Sequence, residues 1–191
     1  MPGQVDPVVD ERDGLMKFLA QQRYYVKLSA HGLTDEQAGA MPTDSSLSVG
    51  GLLKHLTLVE TNWIDTVLQN RADEDGYARY AGSFTMGDDE TLESLIEAYD
   101  QVAGRTGEVI GGVADLDQPV PVPDEPWFRK DVEAWSVRWV LLHLITETAR
   151  HAGHADLIRE HVDRATAIPL MAAAEGWSET PWVKPWKAAE Q

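Results

Sequence analysis

No cysteine occurs among the 191 residues. That excludes a disulfide framework, a thiolate zinc site, an iron–sulfur cluster and a cysteine nucleophile. A metal would have to be held by histidines and carboxylates, and thiol chemistry would need a thiol from outside. Basic residues are scarce too: 16 Lys and Arg stand against 32 Asp and Glu, a net charge of −16. A field of that sign repels phosphates, so neither nucleic acid nor an acidic membrane surface is expected as a partner. No run reaches the roughly 18 consecutive apolar residues of a membrane-spanning helix. The N-terminal MPGQVDPVVDERDG lacks the basic-then-apolar order of a secretory signal, so a cytoplasmic location is expected. Internal repeats and low-complexity tracts are absent as well. With 43% hydrophobic and 25% charged residues, the composition is that of an ordinary globular protein, and the length fits one domain over 1–191.

What is present is helical periodicity. Four long segments carry it, at about 8–30, 48–71, 89–113 and 132–164, with a short helical piece at 34–40. In the second segment Leu52, His55, Leu56, Val59, Trp63 and Val67 recur at spacings of three and four behind the capping residue Ser48, so His55 shares the apolar face. Residues 72–89 read as a loop. The third segment contains Gly104, Gly107, Gly111 and Gly112, which either weaken the helix or admit a close helix contact. The proline-rich DLDQPVPVPDEPW that follows reads as a long crossover, its PVPV alternation demoted as a strand by proline. Residues 165–191 form a tail with Trp177, Trp182 and Trp186, either folded back on the bundle or kept for an interface. The expected fold is all-α, a four-helix bundle with a long crossover between helices three and four.

The chemistry concentrates on the fourth helix. His143, Glu147 and His151 follow at four-residue steps along one side, and His154 lies one turn past His151. Residues one turn apart offer a ready pair of ligands, and a third from a facing helix would complete a site. Inward-facing His55 is that third residue if helices two and four are neighbours. Spacing alone leaves the plainer account standing, in which His55 is a hydrogen-bonded core histidine and Glu147–His151 a local ion pair. His161 reads as a favourable charge at a helix C-terminus. Arg159, Glu160, Asp163 and Arg164 read as a solvated face, and so does Glu60, whereas Trp63 reads as core. Arg129, Arg138 and Arg150 are either contacts for an anionic substrate or simply solvated.

The segments LSVGGLLKHLTLVETNWI and VRWVLLHLITETARHAGHADLIRE resemble the DinB-like family of metal-binding four-helix proteins. They look closest to its actinobacterial branch, similar to the N-terminal domain of mycothiol-dependent enzymes such as maleylpyruvate isomerase. The likeness covers about residues 8–164. It implies three metal ligands: His55 on the second helix, and Glu147 with His151 on the fourth. Most relatives carry His where Glu147 stands, and the mycothiol-dependent branch shares the Glu. Zinc is the first metal implied and nickel the second. His154 is then a base, a further ligand or a support for His151, and His143 packs against or orients Glu147. The implied function is a divalent-metal-dependent transferase or isomerase that joins a thiol cosubstrate such as mycothiol to a small electrophilic substrate, in a homodimer. The alternatives are a hydrolase using the same ligands and a non-catalytic metal- or ligand-binding bundle.

Overall fold

The computed structural model describes residues 3–70, 76–125 and 128–188. Helix α1 (Glu11–Ser29) starts where the Asp10 carboxylate accepts from the Asp13 backbone N–H at 2.8 Å, satisfying a donor that the first turn would leave unpaired. After the short α2 (Asp35–Gly39), α3 (Val49–Val67) is capped by Ser48, whose Oγ accepts from Gly51 N–H. A helix of about two turns, α4 (Gly76–Gly82), precedes α5 (Leu92–Gly112), which opens on a reciprocal Thr91–Ser94 capping pair. A ribbon of β1 (Pro119–Pro121) and β2 (Ala134–Ser136) leads into α6 (Val137–Asp163), and α7 (Ala167–Ala174) follows. Helix α1 lies along α6, α3 lies along α5, and an α3–α6 contact closes the bundle.

The four long helices are α1, α3, α5 and α6, as the periodicity predicts, and the fold is all-α apart from the small ribbon. Several boundaries differ. The fourth helix starts at Val137 rather than 132, because residues 134–136 pair antiparallel with the crossover, Val120 opposite Trp135. Proline at alternate positions 119 and 121 is compatible with such an isolated edge pairing, so the demoted PVPV segment is a strand after all. The expected loop 72–89 contains α4; its residues 72–75 lie outside the described residues, as does the expected second-helix end at 71, although α3 itself stops at Val67. Gly104, Gly107, Gly111 and Gly112 mediate no close helix contact: nothing lies within 4 Å of where their Cβ atoms would stand.

The core has two main parts. One gathers Leu52, Leu53, Leu56, Leu95, Tyr99 and Ile158; the other gathers Ile64, Ile110, Val137, Leu141 and Leu144 under the ribbon. The tail folds back. Trp186 packs beside Tyr24, Leu28, Leu170 and Met171, and the Arg159 guanidinium lies 4.8 Å from its ring centroid. Arg159 is therefore no part of a solvated face. It is fully buried, donating to the carbonyls of Ser29 and His31 and paired with Asp163. Trp177 and Trp182 remain exposed, Trp182 at 90%. Among the described residues no helix is long and apolar enough to cross a membrane.

Candidate metal centre

Helices α3 and α6 bring His55, Glu147 and His151 together, so that one ligand atom from each lies within 4.8 Å of the others. Glu147 and His151 stand one turn apart on the inner side of α6, and His151 Nε2 is 3.2 Å from Glu147 Oε1. His55 Nε2 approaches the same oxygen at 3.7 Å, too far for a hydrogen bond. His55 is completely buried, and its Nε2 has no hydrogen-bond partner. An orphaned buried nitrogen costs on the order of 1–3 kcal/mol of desolvation, and it is aimed at a carboxylate and a second imidazole. That donor set of two imidazoles and one carboxylate fits a divalent first-row ion.

The other side of His55 fixes its tautomer. The Ser83 hydroxyl donates its single proton to the Tyr80 carbonyl at 2.7 Å, so toward His55 Nδ1, 2.9 Å away, Ser83 Oγ can only accept. His55 therefore carries its proton on Nδ1 and leaves the Nε2 lone pair free, the form in which imidazole binds a metal. Phe84 stacks on the imidazole at 3.8 Å between centroids, and Tyr80 meets it edge-on at 5.3 Å. Gly51 makes this cover possible: a Cβ there would stand 2.0 Å from the Phe84 carbonyl oxygen. Ser83, Tyr80 and Phe84 all fall in the segment that reads as a loop. No periodicity marks them, because a seven-residue helix and the turn after it are too short to show any.

His154 Nδ1 lies 3.4 Å from His151 Nδ1. Burial first, then the charges of His151 and Arg150, pull the His154 imidazole below its ordinary range. His143 sits one turn before Glu147 and is lowered by burial; it packs between Trp63 and Trp139. His161 stays on the outer surface, where its Nδ1 meets the Leu157 carbonyl at 2.8 Å. Of the arginines considered as anion contacts, Arg129 is paired with Asp131, and Arg138 with Glu11 and Asp117. Glu60 is not solvent-facing. It is 2% exposed and pairs with Arg23, whose Nε donates at 3.0 Å, while the Thr106 hydroxyl donates to its other oxygen.

Glu147 has an electrostatic signature that can be measured. His151, whose Nε2 lies 3.2 Å from its Oε1, holds its carboxyl well below the usual carboxylate range against the opposing effect of burial. A carboxyl depressed on folding contributes its full stability above its ordinary value of 4.5 and loses it progressively as the pH falls from there toward the depressed value. Urea midpoints of metal-stripped parent and Glu147→Gln protein should therefore differ most above about pH 5, and the gap should narrow steadily in more acid buffer. A gap independent of pH would contradict this.

The fold and the site together define a helical-bundle protein with a candidate His–Glu–His metal centre. A family model described as mycothiol-S-transferase matches residues 14–164. The chain belongs to the mycothiol-S-transferase family. A solved structure described as the conserved protein of locus from Enterococcus faecalis superposes with a TM-score of 0.60 at 14% sequence identity, over 82% of this chain and 98% of that one. At that identity the likeness establishes the fold alone. No curated protein matches the chain.

Proposed function

We propose that the chain joins a low-molecular-weight thiol, of the kind its family's name carries, to a small electrophile. The observation that carries this reading is the buried, unpartnered His55 Nε2 set against Glu147 and His151. Those three residues would hold a divalent cation, zinc first and nickel next among the ions suited to two imidazoles and a carboxylate. When bound, the cation supplies the Lewis acidity that keeps a thiol in its nucleophilic thiolate form. Three protein ligands are the number found in catalytic zinc sites, where structural sites use four. The lack of cysteine agrees with a nucleophile that arrives with the cosubstrate.

The chain's own groups hold and orient. Ser83 keeps the His55 proton on Nδ1. If His151 offers Nε2 to the site, its Nδ1–H points to His154 Nδ1, which accepts. A neutral His154 then has its own proton on Nε2 and no second lone pair, so its role is to position His151 rather than to act as the base. Phe84 and Tyr80 keep water from His55. In the net reaction the thiol sulfur bonds to the electrophilic carbon, the leaving group departs with its bonding pair, and the thiol proton passes to solvent.

The test is conjugation of a thiol panel, mycothiol and N-acetylcysteine included, with alkyl halides, using zinc-loaded and metal-stripped protein. Thiol-dependent product above the uncatalysed rate, lost on stripping and regained with zinc, is the expected result. No such product across the panel defeats the proposal, and metal-dependent ester or amide cleavage without thiol would put the hydrolytic reading in its place.

A further inference from the structure

Three aromatic rings stand in a ladder that ends one helical turn before Glu147. Trp135 on β2 and Trp139 on α6 stack at 4.3 Å between centroids with planes 4° apart; Trp139 and His143 stack at 5.2 Å and 3°. Trp63 of α3 backs all three, with centroids at 5.4 Å from Trp135, 5.4 Å from Trp139 and 4.8 Å from His143. The cause is helical: residues 139, 143, 147 and 151 repeat every four positions, so Trp139, His143 and two of the candidate ligands share one stripe of α6. Trp63 is buried, but Trp139 is 36% exposed, so the ladder reaches the surface. A buried core would gain more from enclosing such a ring completely.

We propose that Trp135, Trp139 and His143 form a subsite for the flat, uncharged, aromatic part of the electrophile, leading its reacting carbon to the His55–Glu147–His151 centre. Trp139 turns its faces to Trp135 and His143, so a guest meets its exposed edge. An aromatic edge favours the π face of a planar guest over a saturated one of equal size. Charge narrows the class further. Arg138, next to Trp139 in the chain, and Arg129 in the crossover are both committed to carboxylates, which leaves those two cations engaged rather than waiting for an acidic guest. That the guest is an electrophile rests on the thiol-transfer reading; that it is planar rests on the ladder, and that it is neutral on the paired arginines.

The test uses the full zinc-loaded chain and two unreactive probes of similar size, 4-nitrobenzyl alcohol and cyclohexylmethanol, by equilibrium dialysis. The parent should bind the aromatic probe about fivefold more tightly. Trp139→Leu should erase that preference and Trp139→Phe should keep most of it, with circular dichroism as the check on folding. Should Trp139→Leu fail to fold, nuclear Overhauser contacts between the Trp139 ring and the probe in the parent decide the matter. Equal binding of both probes by the parent, an unchanged preference in Trp139→Leu, or missing ring contacts would overturn the subsite. The parent reading is checked separately with 4-nitrobenzyl chloride and N-acetylcysteine. A preserved aromatic preference without metal-dependent conjugation would sink thiol transfer and leave the subsite standing.

Discussion

His55→Ala should lower zinc affinity by more than about 100-fold while leaving helicity unchanged, and Ser83→Ala should lower it by about 10- to 100-fold. A competition titration against a chelator, with circular dichroism alongside, measures both. The ranking follows from what each residue supplies. His55 is the one candidate ligand from α3, so its removal leaves only the α6 pair, Glu147 and His151. Ser83 supplies no ligand. It holds His55 in the tautomer with Nε2 free, and without it the ring can turn or carry its proton on the wrong nitrogen. Because the unpartnered Nε2 is a burden on the empty fold, His55→Ala should cost the metal-free protein less than its buried volume suggests. Unchanged zinc affinity in His55→Ala would dismiss the triad, and equal losses in both variants would show that Ser83 does more than orient.

Glu60→Ala should destabilise the fold by about 3–5 kcal/mol, the usual cost of stranding one partner of a buried ion pair. Both side chains are enclosed, Glu60 at 3% and Arg23 at 8% side-chain exposure, and the pair joins α1 to α3 while Thr106 ties it to α5. Removing the carboxylate leaves a buried guanidinium and a buried hydroxyl without the oxygens they donate to. Removing both charges is different: Arg23→Met with Glu60→Leu should restore most of the loss, since apolar replacements of similar volume avoid the desolvation of two ions. Urea denaturation of the two single variants and the double variant measures the coupling. Strict additivity would mean that the pair makes no net contribution.

The four long helices were legible because each is long enough to show its period, and Ser48 marks a start that the structure realises with a cap hydrogen bond. The three candidate ligands were legible for a related reason: two share a helix at a one-turn spacing, and His55 lies on an apolar face. Their convergence was not readable from spacing alone, since that depends on which helices are neighbours, and the family likeness supplied it. Glu60 misled because its position on α3 gives no sign of Arg23, 37 residues earlier and on another helix. Arg159 misled in the same way. Its partners are backbone carbonyls at the end of α1, and carbonyls leave no trace in composition. Ser83, Tyr80 and Phe84 carry no sequence signal, because they sit on a short helix and the turn that follows it.

Gly51 also has a comparative use. Its missing side chain is what lets the Phe84 carbonyl settle against α3. Position 51 is therefore a one-letter marker for reading other members of the family. A relative with glycine there has the room to lay an aromatic over its helix-three histidine as this chain does. A relative with any other residue would have to move that carbonyl away from the helix, and with it the ring that covers the histidine.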